Sequence, residues 1–197
     1  GDFYGFKVVD IDASGKWIYE NPSGERVSYE NFAHAFEDKQ VLGNGLPKYY
    51  AGWNNNIRYK RFDAGVTMRG AFKYQILNFQ RMYFENPSIV NYNRLKSSMD
   101  PVYGKALLTA PLEFNSYYLE DGDFWKIDNI TAGYNFPVKN KQIKAFRLYA
   151  STLNTFTITG YKGIDPEVNR MGLNPGNDDR DKYPTTRTYT LGINLTF

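Results

Sequence analysis

Apolar and polar side chains alternate along several stretches of this chain. In FDAGVTMRGAFK, Phe62, Ala64, Val66, Met68, Gly70 and Phe72 share one parity, and Asp63, Gly65, Thr67, Arg69, Ala71 and Lys73 share the other. Strict period-two alternation predicts a strand with one apolar face. The preceding KYYAGWNNNIRY behaves alike. Ala51, Trp53, Ile57 and Tyr59 fall on one side, with Asn55 the exception, and Tyr50, Gly52, Asn54, Asn56 and Arg58 on the other. A tight turn near Lys60–Arg61 must join the pair.

A second pair is predicted in DGDFWKIDNITAGYNF and AFRLYASTLNTFTIT, joined by PVKNKQIK. Ile130, Ala132, Tyr134 and Phe136 alternate with Thr131, Gly133 and Asn135, and Pro137 ends the strand because it cannot donate to a ladder. The blurred parity at Trp125–Asp128 predicts a bulge. In YPTTRTYTLGINLTF, Tyr189, Leu191, Ile193, Leu195 and Phe197 face one way and Thr188, Thr190, Gly192, Asn194 and Thr196 the other. Phe3 to Ile11 reads as a first, less regular strand, which brings the total to about six strands. Long connections at roughly 12–47, 75–122 and 160–182 separate strands whose other turns are short. In the middle connection, Asn86 and Pro87 predict a helix start, with Ile89, Tyr92, Leu95 and Met99 on one face and Pro101 as its stop. Ile76 to Phe84 predicts a further helical turn or two, and the whole connection is expected to fold on its own apolar residues.

Composition narrows the class. Aromatic residues make up 17% of the 197, with 17 Tyr and 14 Phe, which favours strands and opposes disorder. The net charge of +3 marks no nucleic-acid surface. Cysteine is absent, which excludes a disulfide scaffold, a thiolate zinc site and a Cys nucleophile. The opening GDFYGFKVV has no secretory-signal character. No run of about 18 apolar residues could form a transmembrane helix. A barrel strand needs only about 9–11 residues and shows every second one to lipid.

A soluble sandwich would alternate in the same way, burying its apolar face under a second sheet. Strand length, the pairing of short turns at one end with long loops at the other, and aromatics near strand ends favour a transmembrane barrel. Trp53, Tyr59, Phe62, Phe72, Tyr134 and Phe136 are candidates for the lipid interfaces. Six strands cannot close a barrel, since about eight are the fewest that fill their own interior. Open edges in lipid would leave N–H and C=O groups unpaired. The chain is therefore expected to be one piece of a larger protein, with the missing part preceding Gly1.

The stretches LGNGLPKYYAGWNNNIRYKRFDAGVTMRG, YLEDGDFWKIDNITAGYNFP, LYASTLNTFTITGYKGIDPEVN and YPTTRTYTLGINLTF resemble, in that order, the C-terminal part of SusC/RagA-type TonB-dependent outer-membrane transporters. The resemblance implies an antiparallel barrel of about 22 strands holding an N-terminal plug. Residues 1–197 would supply about the last six strands, with short periplasmic turns and long extracellular loops. It also implies import of oligosaccharides or peptides across the outer membrane of a Gram-negative, Bacteroidetes-like bacterium, with a SusD-like lipoprotein as lid. TonB would act through a plug region that this chain does not contain. Tyr189, Leu191, Ile193, Leu195 and Phe197 match the closing strand read by the insertion machinery. No catalytic role and no cofactor are implied.

Chemistry in the remaining residues is sparse. The acids of DPEVN, NDDRD and YLEDGD show no fixed pairing of the kind a glycosidase needs, which leaves a hydrolase the weakest reading. Asp10, Asp12 and Ser14 before Gly15 resemble the start of a calcium loop, but its twelfth position is Asn21 and a β-turn centred on Ser14–Gly15 accounts for them. His34 is the only histidine, and one His makes no zinc site. Asn54, Asn56, Arg58, Asp63 and Arg69, expected to face the lumen, and the loop residues Trp17, Tyr117 and Trp125 are candidates for contact with a cargo. Amide, guanidinium and carboxylate groups bond sugar hydroxyls, and aromatic faces stack on sugar rings. Peptide and glycan cargo both fit. The alternative to a transporter is a soluble or cell-surface carbohydrate-binding β-sandwich.

Overall fold

The structure, a computed structural model, describes residues 1–139, 142–168, 174–180 and 183–197. In chain order the strands are β1 (Asp2–Gly5), β2 (Lys7–Ile11), β3 (Trp17–Glu20), β4 (Arg26–Ser28), β5 (Gln40–Asn44), β6 (Tyr49–Tyr59), β7 (Phe62–Phe72), β8 (Gln75–Asn78), β9 (Leu119–Asp121), β10 (Phe124–Phe136), β11 (Ala145–Thr159), β12 (Asn177–Asp178) and β13 (Thr188–Thr196). One α-helix, α1 (Phe79–Phe84), lies among the described residues. The chain divides into two compact units. One comprises Gly1–Pro47, Lys73–Gly122 and Tyr161–Tyr183, and the other Lys48–Phe72, Asp123–Gly160 and Pro184–Phe197.

The second unit is a five-stranded sheet in the order β13-β11-β10-β7-β6, antiparallel throughout. The β6–β7 hairpin closes at Lys60–Arg61, as the alternation requires, with Tyr59 opposite Phe62. Lys60 takes φ +53°, the left-handed backbone that tight hairpins place at their turns. The bulge expected near Asp128 is present. The register shifts between Ile127 and Asn129, and Arg69 Nε donates to Asp128 Oδ2 at 2.5 Å. Below that shift the parities hold, and one face gathers Ile57, Ala64, Ile130, Ala132, Leu148, Ile193 and Leu195.

That apolar face lies open. Ile193 is 59% exposed, Leu195 43% and Leu191 76%, while Val66 and Met68 are half-buried. Among the described residues no second sheet seals it, so the two-layer packing that a sandwich needs is absent there. Aromatic rings line its turn end in sequence: Phe62 against Tyr134 (4.7 Å between centroids), Tyr134 against Phe136 (4.8 Å) and Phe136 stacked on Phe146 (4.9 Å).

One expectation is corrected. Phe3 to Ile11 is not a strand of the large sheet, which therefore has five strands among the described residues and not six. Its buried side chains Phe3, Phe6, Val8 and Ile11 do not share a parity, and the segment breaks at Phe6. Strand β1 pairs with β5, and β2 with β3.

The first unit is built from this N-terminal segment and the described parts of the long connections. Its small sheets are β1-β5, β2-β3-β4 and β12-β8-β9. Trp17, Tyr19, Phe32, Leu77, Met82, Val102, Leu108 and Tyr118 join in one core, so the middle connection does fold on apolar residues, shared with the N-terminal segment. The β2–β3 turn shows why a glycine is needed at its last position. Gly15 has φ +85°, and a Cβ there would lie 2.1 Å from the Leu107 carbonyl oxygen.

The helix expected from Asn86 is not formed. Asn86 Oδ1 instead accepts from the Ser88 amide and hydroxyl, and its Nδ2 donates to the Ala110 carbonyl. These bonds turn the chain back, and only Lys96–Met99 coils, as a 3-10 turn. The helical turn foreseen within Ile76–Phe84 is α1, capped by Asn78, whose side chain accepts from the Arg81 amide.

Arg81 anchors this unit electrostatically. Its guanidinium donates to Glu85 (2.8 Å), Glu120 (2.6 Å) and the Tyr117 hydroxyl (3.1 Å), and all three charged side chains are nearly buried. Burial alone would lower the Arg81 pKa, but bonds to Glu85 and Glu120 outweigh it and hold the side chain firmly charged. Arg81→Met would leave two carboxylates buried without their cation. The expected loss is about 3–5 kcal/mol, read as a lower denaturation midpoint and faster proteolysis of the loop segments in the full-length protein.

Candidate functional site

The polar face of the five-stranded sheet holds a groove of about 390 Å³. Strand register builds it. Asn54, Asn56 and Arg58 of β6 lie opposite Thr67, Gly65 and Asp63 of β7, and Asn129 and Thr131 of β10 lie opposite Thr67 and Gly65 on the other side. The sequence thus places Asn54, Asn56, Arg58 and Asp63 in one site. Asn56 Nδ2 donates to Asn54 Oδ1 at 3.2 Å, and Thr131 Oγ1 donates to Asn129 Oδ1 at 3.0 Å.

Arg147 of β11 organises one end. Its Nε donates to Asp63 Oδ1 at 3.0 Å and its Nη2 to Asp63 Oδ2, a two-pronged carboxylate clasp. Asn135 Nδ2 adds a bond to Asp63 Oδ1 at 3.0 Å. Arg147 is paired with Asn135 and Asp63 with Gly133, so the guanidinium must cross the β10 backbone at Gly133. A Cβ on Gly133 would lie 2.4 Å from Arg147 Nη2. Glycine is therefore what lets the clasp span three strands. Sequence reasoning missed Arg147, Asn129 and Thr131. The parity of Thr131 with Gly133 and Asn135 was visible, but the pairing that brings Arg147 over Asp63 depends on register.

The other candidates disperse. Arg69 is drawn to Asp128 at the bulge and does not line the groove. Trp17 is not a loop residue. It lies in β3, 1% exposed, with its indole inside the first unit's core. Trp125 is likewise in a strand, β10, stacked on Phe72 on the apolar face, with Nε1 3.4 Å from Met68 Sδ. Tyr117 sits in the 3-10 turn Ser116–Tyr118, half-buried, its ring 5.0 Å from that of Trp17.

The groove offers amides, hydroxyls and one held guanidinium, groups that bond sugar hydroxyls or peptide amides. His34 lies in the other unit, where its Nδ1 is 2.8 Å from Glu113 and the Tyr19 hydroxyl donates to the second oxygen of the same carboxylate. Burial, and then that carboxylate, push the Tyr19 phenol well above its ordinary pKa. Of the loop acids, Asp165 accepts from the Glu167 amide and Asp178 from the buried Tyr161 hydroxyl, whereas Asn169 and Asp181 lie outside the described residues.

Asp10, Asp12 and Ser14 form a turn. Gly15 N donates to Asp12 O, which centres it one residue earlier than expected, on Ala13–Ser14. Asp12 Oδ1 accepts from the Lys16 amide, the Ser14 hydroxyl and the Ser14 amide, and Asp10 pairs with Lys105 at 2.5 Å. Among the described residues no group of three acidic or histidine side chains converges on a metal position. The Lys16 amide, then the Ser14 hydroxyl, hold the Asp12 carboxyl below its ordinary range. A lowered folded-state pKa stabilises the turn above the free value and is lost as pH falls through the lowered one. Protection of the Ser14 and Lys16 amides from hydrogen exchange, taken relative to the intrinsic rate at each pH, should therefore hold down to the ordinary carboxylate pKa, about 3.9, and fall only below it. Added calcium should change neither.

No family model matches the chain. TonB-dependent receptor P3 of Formosa agariphila is 27% identical over 221 residues, a match that covers 100% of this chain and 22% of that protein. TonB-dependent receptor SusC of Bacteroides thetaiotaomicron is 28% identical over 198 residues, covering 95% and 16% respectively. Among solved structures, the RagAB peptide transporter superposes with a TM-score of 0.84 at 22% identity, over 100% of this chain and 22% of that one. The RagAB peptide importer in its closed-closed state gives 0.81 at 22% identity, over 99% and 23%. The chain spans about a fifth of the length of these proteins. Along nearly all of its length the chain is thus similar in sequence to TonB-dependent receptors, and it shares its fold with the corresponding part of the RagAB transporter.

Proposed function

We propose that this chain is a section of barrel wall, with its outer loops, in a TonB-dependent importer of oligosaccharides or peptides in the outer membrane of a Bacteroidetes-like bacterium. One observation carries the reading: the five-stranded sheet presents an open apolar face on one side and a polar groove on the other. Lipid would cover the first and the transport lumen would adjoin the second. Strands β6 and β13 are the sheet's edges, and further strands of a barrel of about 22 would pair their backbones, as lipid demands.

In this reading the role is transport and not catalysis. Asn54, Asn56, Arg58 and Asp63 line the path, with Arg147 holding Asp63 in place. A SusD-like lipoprotein meets the long loops, and TonB supplies energy through a plug region elsewhere in the full protein. Tyr189, Leu191, Ile193, Leu195 and Phe197 serve as the insertion signal. The amides, hydroxyls and guanidinium groups of the groove suit a peptide cargo as well as a glycan.

The test uses the full-length protein in its own host. It should require detergent for extraction and migrate faster on gels unheated than boiled. Its deletion should abolish uptake of one class of oligosaccharide or peptide, and loss of TonB should do the same. Arg58→Ala or Asp63→Ala should reduce that uptake by about tenfold, the effect of about 1.4 kcal/mol, without changing gel mobility. A detergent-independent protein whose deletion leaves uptake intact would contradict the proposal.

A further inference from the structure

The turn end of the apolar face carries a second groove, of about 480 Å³, distinct from the polar one. Its floor is the stacked pair Phe136–Phe146, and Ile193 and Leu195 of β13 form one wall. Phe146 lies opposite Leu195 and Leu148 opposite Ile193, so this wall is fixed by the β11–β13 ladder. Val138 and Ile143, on either side of the turn, close the end. Within this hydrocarbon-lined slot the one charged side chain is Lys139, exposed at the rim.

The surroundings are cationic as well. Residues 137–144, PVKNKQIK, hold three lysines and no acid. The neighbouring hairpin turn adds Lys60 and Arg61, again without an acid, and is tied to β10 by the Asn135 amide donating to the Arg61 carbonyl at 2.8 Å. Lys144 Nζ is held at 3.0 Å by the Phe197 main-chain oxygen, which leaves Lys139 as the rim cation with no ion pair among the described residues. An apolar slot with a lysine at its rim matches one chemistry: an acyl chain attached to an anionic headgroup.

We propose that this groove binds a single anionic phospholipid, with an acyl chain along Phe136, Phe146 and Ile193 and its phosphate on Lys139. The proposal rests on the membrane-embedded reading of the sheet, with the short turns at the inner face of that membrane. The lipid bridges the hydrocarbon and headgroup levels at the point where β10 and β11 leave the bilayer. It would fix the depth of the Phe62–Tyr134–Phe136 aromatic row.

Full-length protein, released from nanodiscs of mixed phosphatidylcholine and phosphatidylglycerol, is examined by native mass spectrometry for retained lipid. Phosphatidylglycerol should be retained over phosphatidylcholine. Lys139→Glu should cut that preference by about fivefold, the effect of one lysine at an anionic surface. Ile143→Trp, which fills the slot, should lower retention of both lipids. Unchanged heat-modifiable mobility confirms folding in each variant. Equal retention in wild type and both variants would overturn the proposal, as would retention of lipopolysaccharide alone or of a second protein copy in place of lipid. Failure of the transporter reading itself looks different: the protein would not enter nanodiscs at all.

Discussion

The sheet formed by β6, β7, β10, β11 and β13 has a hydrophobic side that its own chain does not cover. Fully burying a leucine or isoleucine is worth about 1.5–3 kcal/mol. A row such as Ile57, Leu191 and Ile193, left in water, would forfeit an amount comparable to the net stability of a domain, about 5–15 kcal/mol. Among the described residues the chain supplies no second layer for this face, and in the proposed reading lipid covers it. The polar clasp on the opposite face, the aromatic row and the lysine-rimmed slot all take their meaning from what covers that side.

The two units solve the burial problem differently. The first hides Trp17, Tyr19, Phe32 and Tyr118 within its own core and seats Arg81 among carboxylates that keep it charged. It closes on itself as a water-soluble structure does. The second keeps its hydrogen bonds within the strand ladder and leaves its side chains facing outward on both sides. Side-chain alternation makes this possible, since a single strand can serve two media only if every residue keeps its parity. The bulge at Asp128 is the local exception, and there Arg69 supplies the charge that the displaced carboxylate needs.

Much of this was readable from residue order. The β6–β7 hairpin, the end of β10 at Phe136 before Pro137, the bulge and the parity of β13 all follow from period two, because a strand with two different faces records both in its sequence. Asn86, Pro87 and the spacing of Ile89, Tyr92, Leu95 and Met99 satisfy the local rules for a helix that does not form. The outcome was set by the Asn86 bonds to Ser88 and to the distant Ala110. Phe3 to Ile11 departs from the large sheet for a related reason: its buried apolar residues change parity, which marks packing into a core rather than against a plane. Within the site, Asn54, Asn56, Arg58 and Asp63 were legible as one face. Arg147 was not, because its reach across Gly133 depends on the register of three strands. Trp17 and Trp125 show that an aromatic's identity does not reveal whether its face is free.

The central claim is that lipid covers the apolar side of this sheet. This chain contributes no cysteine, so in a full-length protein whose cysteines elsewhere are replaced by serine, single cysteines placed at positions 190 to 194 can each carry a spin label. Reconstituted in lipid, labels at Leu191 and Ile193 should be accessible to dissolved oxygen and shielded from a water-soluble nickel chelate. Labels at Thr190, Gly192 and Asn194 should show the reverse. A uniform response along β13, or chelate access at Leu191 and Ile193, would contradict the account.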